Sequence, residues 1–205
     1  MQFLPEDFDP WAEHYDSEVA AESGFPFLGY SAVMKAIIEQ ANPQPGLKVL
    51  DVGCGTGNLS VAYVRHGCQV WGTDFSEQMI AKARQKSSEV QFAVADLREP
   101  LPDDFPPFDL IVSAYVFHHF PIEEKIKLLE RYKNKYLNKN GKIVIGDIMF
   151  PSQSDRKAVA QQYADSWDDE YYWILDQDLP LIEAAGLEVK AKQISVCAGI
   201  VWFEL

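Results

Sequence analysis

Val49-Leu50-Asp51-Val52-Gly53-Cys54-Gly55-Thr56-Gly57-Asn58-Leu59 is an apolar strand that runs into a glycine-rich turn and then into a helix. Glycine there lets the backbone adopt positive φ and pass close to a ligand. A dinucleotide site of the G-x-G-x-x-G type needs glycine at the sixth position, where this chain has Asn58. A Walker loop needs Gly-Lys-Ser/Thr, which does not follow. The stretch therefore predicts a ligand-binding unit outside these two classes, with a tight turn that binds nothing as the alternative.

From this loop onward, short β-rich runs alternate with amphipathic stretches. We predict strands at 48–52, 69–73, 90–94, 108–113 and 142–147, and helices near 58–66, 77–86 and 122–136. This alternation implies a parallel sheet with helices on both faces. A helix at about 177–185 precedes two runs, 188–195 and 199–205, whose connection is too short for a crossover helix. The predicted fold is α/β, a doubly wound seven-stranded sheet, mostly parallel, with an antiparallel C-terminal hairpin.

Two segments lie outside this core. An N-terminal arm, 1–46, carries helical patterns at 10–20 and 27–40, and an insert occupies 150–176. Each is too short to bury a core of its own. We therefore expect 1–205 to be a single domain.

Composition excludes several classes of partner. The chain of 205 residues has 18 Lys+Arg against 31 Asp+Glu, a formal net charge of −13. A surface this acidic is repelled by nucleic acid and by anionic membranes. No window holds the ~18 apolar residues of a membrane-spanning helix, and the acidic N-terminus is unlike a secretory signal. We expect a cytoplasmic protein, a monomer or homodimer, that binds neither nucleic acid nor membrane.

Three carboxylates lie at or just after the carboxyl ends of successive predicted strands. Asp51 stands just before the first glycine, where it would repel a pyrophosphate and favour a cationic ligand. Asp74 lies about 20 residues past the loop, where a ribose-binding acid is expected, and a carboxylate can accept from two vicinal hydroxyls. Capping of the next helix is its alternative role. Asp96 follows the third strand and completes an ordered series.

Four stretches together resemble the motifs of class I S-adenosylmethionine-dependent methyltransferases: Asp51-x-Gly53-x-Gly55-x-Gly57, Asp74-Phe75-Ser76-Glu77-Gln78-Met79, Phe92-Ala93-Val94-Ala95-Asp96-Leu97, and 108–121 with its His-His turn. The resemblance covers about 49–147. It implies a Rossmann-like fold and S-adenosyl-L-methionine as cofactor, with Asp51 and the loop at the methionyl part, Asp74 at the ribose and Asp96 at the adenine. The cofactor-binding residues that it implies are Tyr15, Asp51, Gly53, Cys54, Gly55, Gly57, Asp74, Phe75, Ser76, Met79, Asp96, Leu97 and Ser113.

The reaction side is predicted from the end of the fourth strand. His118 and His119 are candidate general bases, because histidine titrates near neutral pH. As neighbours they are not expected to point into one cleft together, and closing the strand is their alternative role. Metal-dependent catechol-type methyltransferases need acidic ligands here, where this chain has Ser113-Ala114-Tyr115. We therefore predict no metal.

The arm and the insert are expected to border the acceptor. The stretch Trp11-Ala12-Glu13-His14-Tyr15-Asp16 resembles the Trp-Ala-x-x-Tyr-Asp opening of small bacterial methyltransferases, which implies a cofactor contact by Tyr15. Simple packing of an amphipathic helix is the alternative. The insert is rich in aromatic and acidic residues, so it forms either a lid for a cationic acceptor or a packed amphipathic helix. Tyr115, Asp147 and Trp167 are the candidate substrate contacts.

The resemblance implies methyl transfer by direct displacement to a small-molecule acceptor. A catalytically silent sensor or partner protein that binds S-adenosylmethionine or S-adenosylhomocysteine is the alternative. Nicotinamide-dependent oxidoreduction is disfavoured by Asn58 and Asp51.

Overall fold

The computed structural model describes residues 9–22 and 24–204. Eight strands are present in this part of the chain: β1 Lys48–Val52, β2 Gln69–Asp74, β3 Gln91–Val94, β4 Phe108–Ala114, β5 Leu137–Phe150, β6 Trp173–Ile174, β7 Val189–Gln193 and β8 Ala198–Glu204. Its α-helices are α1 Tyr15–Ala21, α2 Tyr30–Ala41, α3 Asn58–Arg65, α4 Glu77–Lys86, α5 Ile122–Lys135, α6 Gln153–Gln162 and α7 Leu175–Ala184. Short 3-10 helices cover Asp9–Glu13, Phe117–His119 and Ala164–Ser166.

The main sheet has the strand order β3-β2-β1-β4-β5-β8-β7. Strands β1 to β5 on this path pair in parallel, and β8 pairs antiparallel with both β5 and β7. The predicted α/β architecture with its antiparallel C-terminal hairpin is therefore confirmed. The order reverses between β1 and β4, which places a ligand-binding crevice beyond the carboxyl ends of these strands.

The predicted count of seven strands is wrong by one. The additional strand is β6, whose Trp173 and Ile174 pair in parallel with Met149 and Phe150 at the end of β5. This pairing depends on the length of β5, which runs over 14 residues instead of the six predicted at 142–147. Two residues are too few to show a strand period, so the sequence pattern could not indicate β6.

Alternation along the strands divides the core into two layers. Val49, Val112 and Val144 face one layer, which also contains buried side chains of α2, α3 and α4. Their neighbours Leu50 and Ile111 face the other layer, with buried side chains of α5 and α7. Successive strand residues point to opposite faces, so a continuous apolar run serves a sheet that is covered on both sides.

The arm differs in detail from its prediction. The helix expected at 10–20 is a 3-10 turn followed by α1, and α2 begins at Tyr30 because Gly29 before it has φ +79°. Helix α2 packs on β5 at Gly146, where an added Cβ would lie 2.5 Å from Ile37 Cδ1. Residues 1–8 and 23 of the arm, and residue 205 of the last predicted strand, lie outside the described residues.

Among the described residues, none of the helices has the length and apolar character needed to cross a membrane.

Candidate functional site

Two adjoining cavities open at the carboxyl edge of the sheet, where the loops after β1, β2 and β4 meet. The first cavity, of about 290 Å³, is lined by Gly53, Asp74, Phe75, Ala95, Asp96, Leu97, Arg98, Tyr115, Val116, His119, Phe120, Pro121, Glu124 and Tyr171. The second cavity, of about 540 Å³, is lined by Trp11, Tyr15, Phe25, Pro26, Phe27, Gly53, Gly55, Met79, Ala114, Tyr115, Val116, His118, His119, Ile148, Ser166, Asp168, Glu170 and Tyr172. They share Gly53, Tyr115, Val116 and His119, so a ligand can extend from one cavity into the other.

The glycine-rich loop presents its backbone to both cavities. Gly53 has φ +67°, and a Cβ there would lie 2.4 Å from Val116 Cγ2, so a larger residue would clash. Gly55 has φ +52°, and only Met79 Sδ comes as near as 4.0 Å to its missing Cβ. The loop therefore needs glycine for its conformation, and at Gly55 it leaves room for a ligand.

Asp74 joins the loop to the start of α4. Its Oδ2 accepts a hydrogen bond from the Gly55 N–H at 2.9 Å, and its Oδ1 accepts from the Ser76 N–H at 3.0 Å. Burial raises the pKa of Asp74 to about 6 against these hydrogen bonds. Ser76 caps α4 with its own hydroxyl, which accepts from the Met79 N–H at 3.1 Å. Because Ser76 is the N-cap of α4, Asp74 is not needed in that role, and it lines the first cavity beside Phe75.

Asp96 and Leu97 line the same cavity after β3. The Asp96 carboxylate accepts from Arg98 Nε at 3.0 Å and from Arg98 Nη2 at 2.6 Å. Burial alone would raise the pKa of Asp96, but the guanidinium outweighs it and holds the pKa below its usual value. This carboxylate is therefore an ionised hydrogen-bond acceptor on the wall of the first cavity.

The Asp51 carboxylate is not placed on either cavity. It is 1% exposed, and its Oδ2 accepts a hydrogen bond of 2.6 Å from Ser60 Oγ in α3. Burial raises its pKa to about 7. A direct contact between Asp51 and a ligand is thus not supported, because the side chain turns beneath the loop towards the helix.

Besides the helix cap Ser76, three further predicted cofactor residues are absent from the cavity walls. Ser113 donates from Oγ to the Val52 carbonyl at 2.7 Å and is buried. Cys54 ties the loop to β2, since its N–H donates to the Thr73 carbonyl at 2.9 Å. Gly57 precedes α3. These three residues shape the loop and the strand ends from outside the cavities.

The arm covers the second cavity with aromatic rings. Tyr15 packs edge-on against Trp11, with 5.0 Å between ring centroids, and both line the cavity. Tyr30 stacks on Tyr115 at 5.4 Å. Asp16 ties the arm to the loop, because its Oδ1 accepts from Thr56 Oγ1 at 2.7 Å. Asp16 is the last residue of the motif that contains Tyr15, but nothing in the sequence pattern indicates this contact.

His118 and His119 both line the second cavity, contrary to the expectation that neighbouring side chains cannot share a cleft. The 3-10 helix at Phe117–His119 brings their ring centroids to 4.1 Å. Glu170 of the insert contacts both: its Oε1 lies 2.9 Å from His119 Nδ1, and its Oε2 lies 3.5 Å from His118 Nε2. The sequence showed Glu170 only as one acid in an acidic segment, and nothing there indicated its contact with the histidines.

Asp147 lies behind His118 and not on the cavity wall. Its Oδ1 is 2.5 Å from His118 Nδ1, and its Oδ2 accepts from Trp173 Nε1 at 2.9 Å. Burial alone would raise the pKa of Asp147, but His118 and Lys125 hold it below its usual value. Burial alone would lower the pKa of His118, but Asp147 and Glu170 raise it. Burial and the neighbouring His118 lower the pKa of His119.

Of the other two candidate substrate contacts, Tyr115 lines the cavities and Trp167 does not. Tyr115, with φ +57°, lines both cavities at their junction. Trp167 lines neither; it stacks on Phe25 at 4.7 Å and packs edge-on against Tyr172 at 5.2 Å. Trp167 of the insert is thus used for packing, while Tyr172, Asp168 and Glu170 of the same segment line the second cavity.

The sequence profile of a family described as "Methyltransferase domain" matches residues 49–141. A protein of Bacillus pumilus named "Uncharacterized methyltransferase" is 34% identical, over 95% of this chain and 93% of its own length. The chain belongs to the methyltransferase-domain family. "Uncharacterized methyltransferase YrrT" of Bacillus subtilis is a second similar member, 34% identical over 94% of this chain and 92% of its own length.

Solved structures share the fold of this methyltransferase-domain protein. Magnesium protoporphyrin IX methyltransferase (ChlM) from Synechocystis PCC 6803, solved with bound SAH, superposes with a TM-score of 0.75 at 17% identity, over 98% of this chain and 97% of that chain. A TehB-like SAM-dependent methyltransferase from Corynebacterium glutamicum superposes with a TM-score of 0.65 at 23% identity, over 98% and 99% of the two chains. At these identities the likeness shows the fold alone.

Proposed function

We propose that this protein is an S-adenosyl-L-methionine-dependent methyltransferase that acts on a small-molecule acceptor. The observation that carries the proposal is that Asp74 and Asp96 line the first cavity, Gly55 lines the adjoining second cavity, and Gly53 lines both. Each of these groups suits a different part of the cofactor.

In this proposal the nucleoside occupies the first cavity. The two ribose hydroxyls donate to Asp74, which is already held by the Gly55 and Ser76 amides. The adenine amino group donates to Asp96, whose charge is maintained by Arg98. The apolar faces of Phe75 and Leu97 line the same cavity beside the ring. Asp51 takes no part in this contact and acts by holding the loop against α3.

The methionyl part then crosses the junction at Gly53 and enters the second cavity beside Tyr15 and Met79. Aromatic faces attract a cation such as the sulfonium, and Tyr115 stands at the junction. The reaction is one displacement: a lone pair of the acceptor forms the bond to the methyl carbon as the carbon–sulfur pair returns to sulfur. The protein contributes mainly alignment and exclusion of water.

The acceptor occupies the remainder of the second cavity, between the arm and the insert. The volume of the second cavity, about 540 Å³, and its cover by the arm and the insert suit a small molecule. The net charge of −13 further disfavours nucleic acid. An acceptor that enters protonated must lose its proton, and His118 and His119 stand beside it to promote that step. The arm and the insert belong to the same single domain as the core.

Calorimetric titration with S-adenosylhomocysteine tests the proposal. We expect micromolar binding that is lost in Asp74→Ala and kept in Asp103→Asn, a matched change at an exposed acid outside both cavities. Absence of binding to the wild-type chain would overturn the proposal.

Transfer itself is tested with deuteromethyl-labelled cofactor and a metabolite extract, by mass spectrometry of the labelled products. Tight cofactor binding without any labelled product, across thiols, amines, carboxylates and phenols, would favour a sensor or partner protein instead.

A further inference from the structure

His118, His119 and Glu170 form a compact cluster on the wall of the second cavity. One ligand atom from each lies within 4.8 Å of the others. Glu170 Oε1 is 2.9 Å from His119 Nδ1, and Glu170 Oε2 is 3.5 Å from His118 Nε2. Two elements distant in the sequence supply the cluster: the 3-10 helix after β4 and the insert before β6.

These separations match those around a metal ion. Nitrogen and oxygen ligands lie about 2.1 Å from Zn²⁺, so that neighbouring ligands are about 3.4 Å apart in a tetrahedral site. In an octahedral site with the same bond lengths they are about 3.0 Å apart. The 2.9 Å between Glu170 Oε1 and His119 Nδ1 and the 3.5 Å between Glu170 Oε2 and His118 Nε2 lie near these values, one for each oxygen of the carboxylate.

Asp147 supplies the support that a metal-binding histidine usually has. It is fully buried, and its Oδ1 lies 2.5 Å from His118 Nδ1. A proton held on Nδ1 by this carboxylate leaves Nε2, the atom nearest Glu170, as the electron-pair donor. Trp173 Nε1 and the Ile148 N–H hold the Asp147 carboxylate in turn, at 2.9 and 2.8 Å. The orientation of His118 is therefore set by the buried Asp147, which Trp173 and Ile148 hold in place.

The charges around the cluster suit a cation. Two carboxylates, Asp147 and Glu170, contact the imidazoles. Lys125, a nearby cation, acts electrostatically on Asp147 and His118, but its Nζ donates to the Tyr171 carbonyl at 2.6 Å and lies 4.3 Å from the centre of the Trp173 ring.

We propose that His118, His119 and Glu170 bind one divalent transition-metal ion at the acceptor end of the second cavity. Two imidazoles and a carboxylate favour ions such as Zn²⁺, Co²⁺ or Fe²⁺ over Mg²⁺ and Ca²⁺. Three protein ligands facing a cavity leave coordination positions for an exchangeable group, as in catalytic metal sites. The expectation of no metal rested on the lack of acids at Ser113-Ala114-Tyr115; here the carboxylate comes from the insert instead.

The ion would contribute to the choice of acceptor and would make the acceptor easier to deprotonate. An acceptor with an oxygen, nitrogen or sulfur donor would bind the open position, and its acidity would rise there. Its proton would pass to solvent before the lone pair attacks the methyl carbon. The ion is neither oxidised nor reduced in this step. Metal binding itself goes beyond the proposed function, because it does not depend on which cofactor enters the first cavity.

The test measures metal binding directly, without cofactor. Protein stripped with a chelator and dialysed is titrated with Zn²⁺ by calorimetry and with Co²⁺ by visible absorption. We expect one ion per chain and a Co²⁺ spectrum of nitrogen and oxygen ligation. Glu170→Gln and His119→Ala should each weaken binding at least tenfold. Asp147→Asn, a change at a positioning residue, should weaken it 10- to 100-fold.

The matched control is Asp165→Asn, which removes one charge from an exposed acid of the same insert and should leave affinity unchanged. Circular dichroism and the melting temperature check that each variant folds. Absence of stoichiometric binding in the wild-type chain, or binding equally tight in Glu170→Gln and His119→Ala, would overturn the proposal. Titration with S-adenosylhomocysteine in chelator reports separately on the proposed function.

Discussion

Asp16 of the arm and Lys86 at the end of α4 form an ion pair, with 2.6 Å between Oδ2 and Nζ. Thr56 and Asn58, on either side of the turn into α3, donate to the other Asp16 oxygen at 2.7 and 3.0 Å. The Asp16 side chain thus connects the arm to the glycine-rich loop and to α4, the helix that follows Asp74. The arm is held over the second cavity by polar contacts as well as by its aromatic rings.

Asp16→Asn should speed release of the cofactor. The amide keeps an acceptor for Thr56 but loses the charge that attracts Lys86. The Asp16 side chain is 48% exposed, so the loss is about 0.5–1 kcal/mol, a two- to fivefold faster dissociation. Stopped-flow measurement of tryptophan fluorescence during S-adenosylhomocysteine release gives the rate, since Trp11 lines the second cavity. As a control, Glu13→Gln breaks the more exposed ion pair with Lys82 and should change the dissociation rate less. Equal dissociation rates in wild type, Asp16→Asn and Glu13→Gln would contradict the role given to Asp16.

Cofactor affinity should depend on pH through Asp74. Its pKa in the free protein is about 6, and only the ionised carboxylate accepts hydrogen bonds from both ribose hydroxyls. Affinity should therefore be constant above pH 7 and fall below about pH 6, by up to tenfold per pH unit. Calorimetry across pH 5–8 measures the profile. Asp74→Asn should bind weakly with little pH dependence, whereas Asp103→Asn should retain the wild-type slope; a flat wild-type profile would exclude Asp74 as the ribose ligand.

Asp51 should make the folded state less stable as pH rises. Its pKa is about 7 in the folded protein against 3.8 in the unfolded chain, because burial opposes ionisation. The folded state then binds more protons between these values, so the free energy of unfolding falls as pH rises from about 4 to 7 and is constant above.

Asp51→Asn removes this titration while keeping an acceptor for Ser60. The stability of the variant relative to wild type should rise by up to about 4 kcal/mol between pH 4 and 7. Urea unfolding at several pH values measures the difference, and the exposed Asp103→Asn serves as the reference. A difference that does not change with pH would show that Asp51 ionises normally in the folded protein.

Substitution of Gly53 and of Gly55 by alanine should reduce stability to different extents. Gly53→Ala places a methyl group 2.4 Å from Val116 Cγ2 at a φ of +67°, so we expect a loss of about 2–3 kcal/mol of stability. Gly55→Ala meets no neighbour closer than 4.0 Å, so its cost is the strain of positive φ, about 1 kcal/mol.

Urea unfolding and cofactor calorimetry separate the two effects. Gly55→Ala should fold yet bind S-adenosylhomocysteine at least tenfold more weakly, since its methyl group projects into the space that the ligand needs. Gly53→Ala combined with Val116→Ala should recover part of the lost stability. Undiminished cofactor binding by Gly55→Ala would place the ligand away from the loop.

Local patterns were sufficient to predict the order and type of the core elements. Strand β1 and helix α4 have the predicted bounds, because β-rich runs bounded by glycine and helices with a serine cap are decided by neighbours in the sequence. The same local signals predicted Asp74, the last residue of β2, and Asp96, which follows β3 after Ala95, so both lie at the carboxyl edge of the sheet. Strand β6 and the extended ends of β5 depend on pairing with distant chain and left no such signal.

The sequence by itself thus determined a parallel α/β sheet with a glycine-rich loop and two acids along one edge. Only the tertiary structure decided which side chains reach a cavity: it turned Asp51 towards Ser60, stacked Trp167 on Phe25, and brought Glu170 to both histidines. The reason is physical. A strand pattern shows which face of the sheet a residue takes, but the direction of a side chain is set by hydrogen bonds and packing with residues far away in the chain.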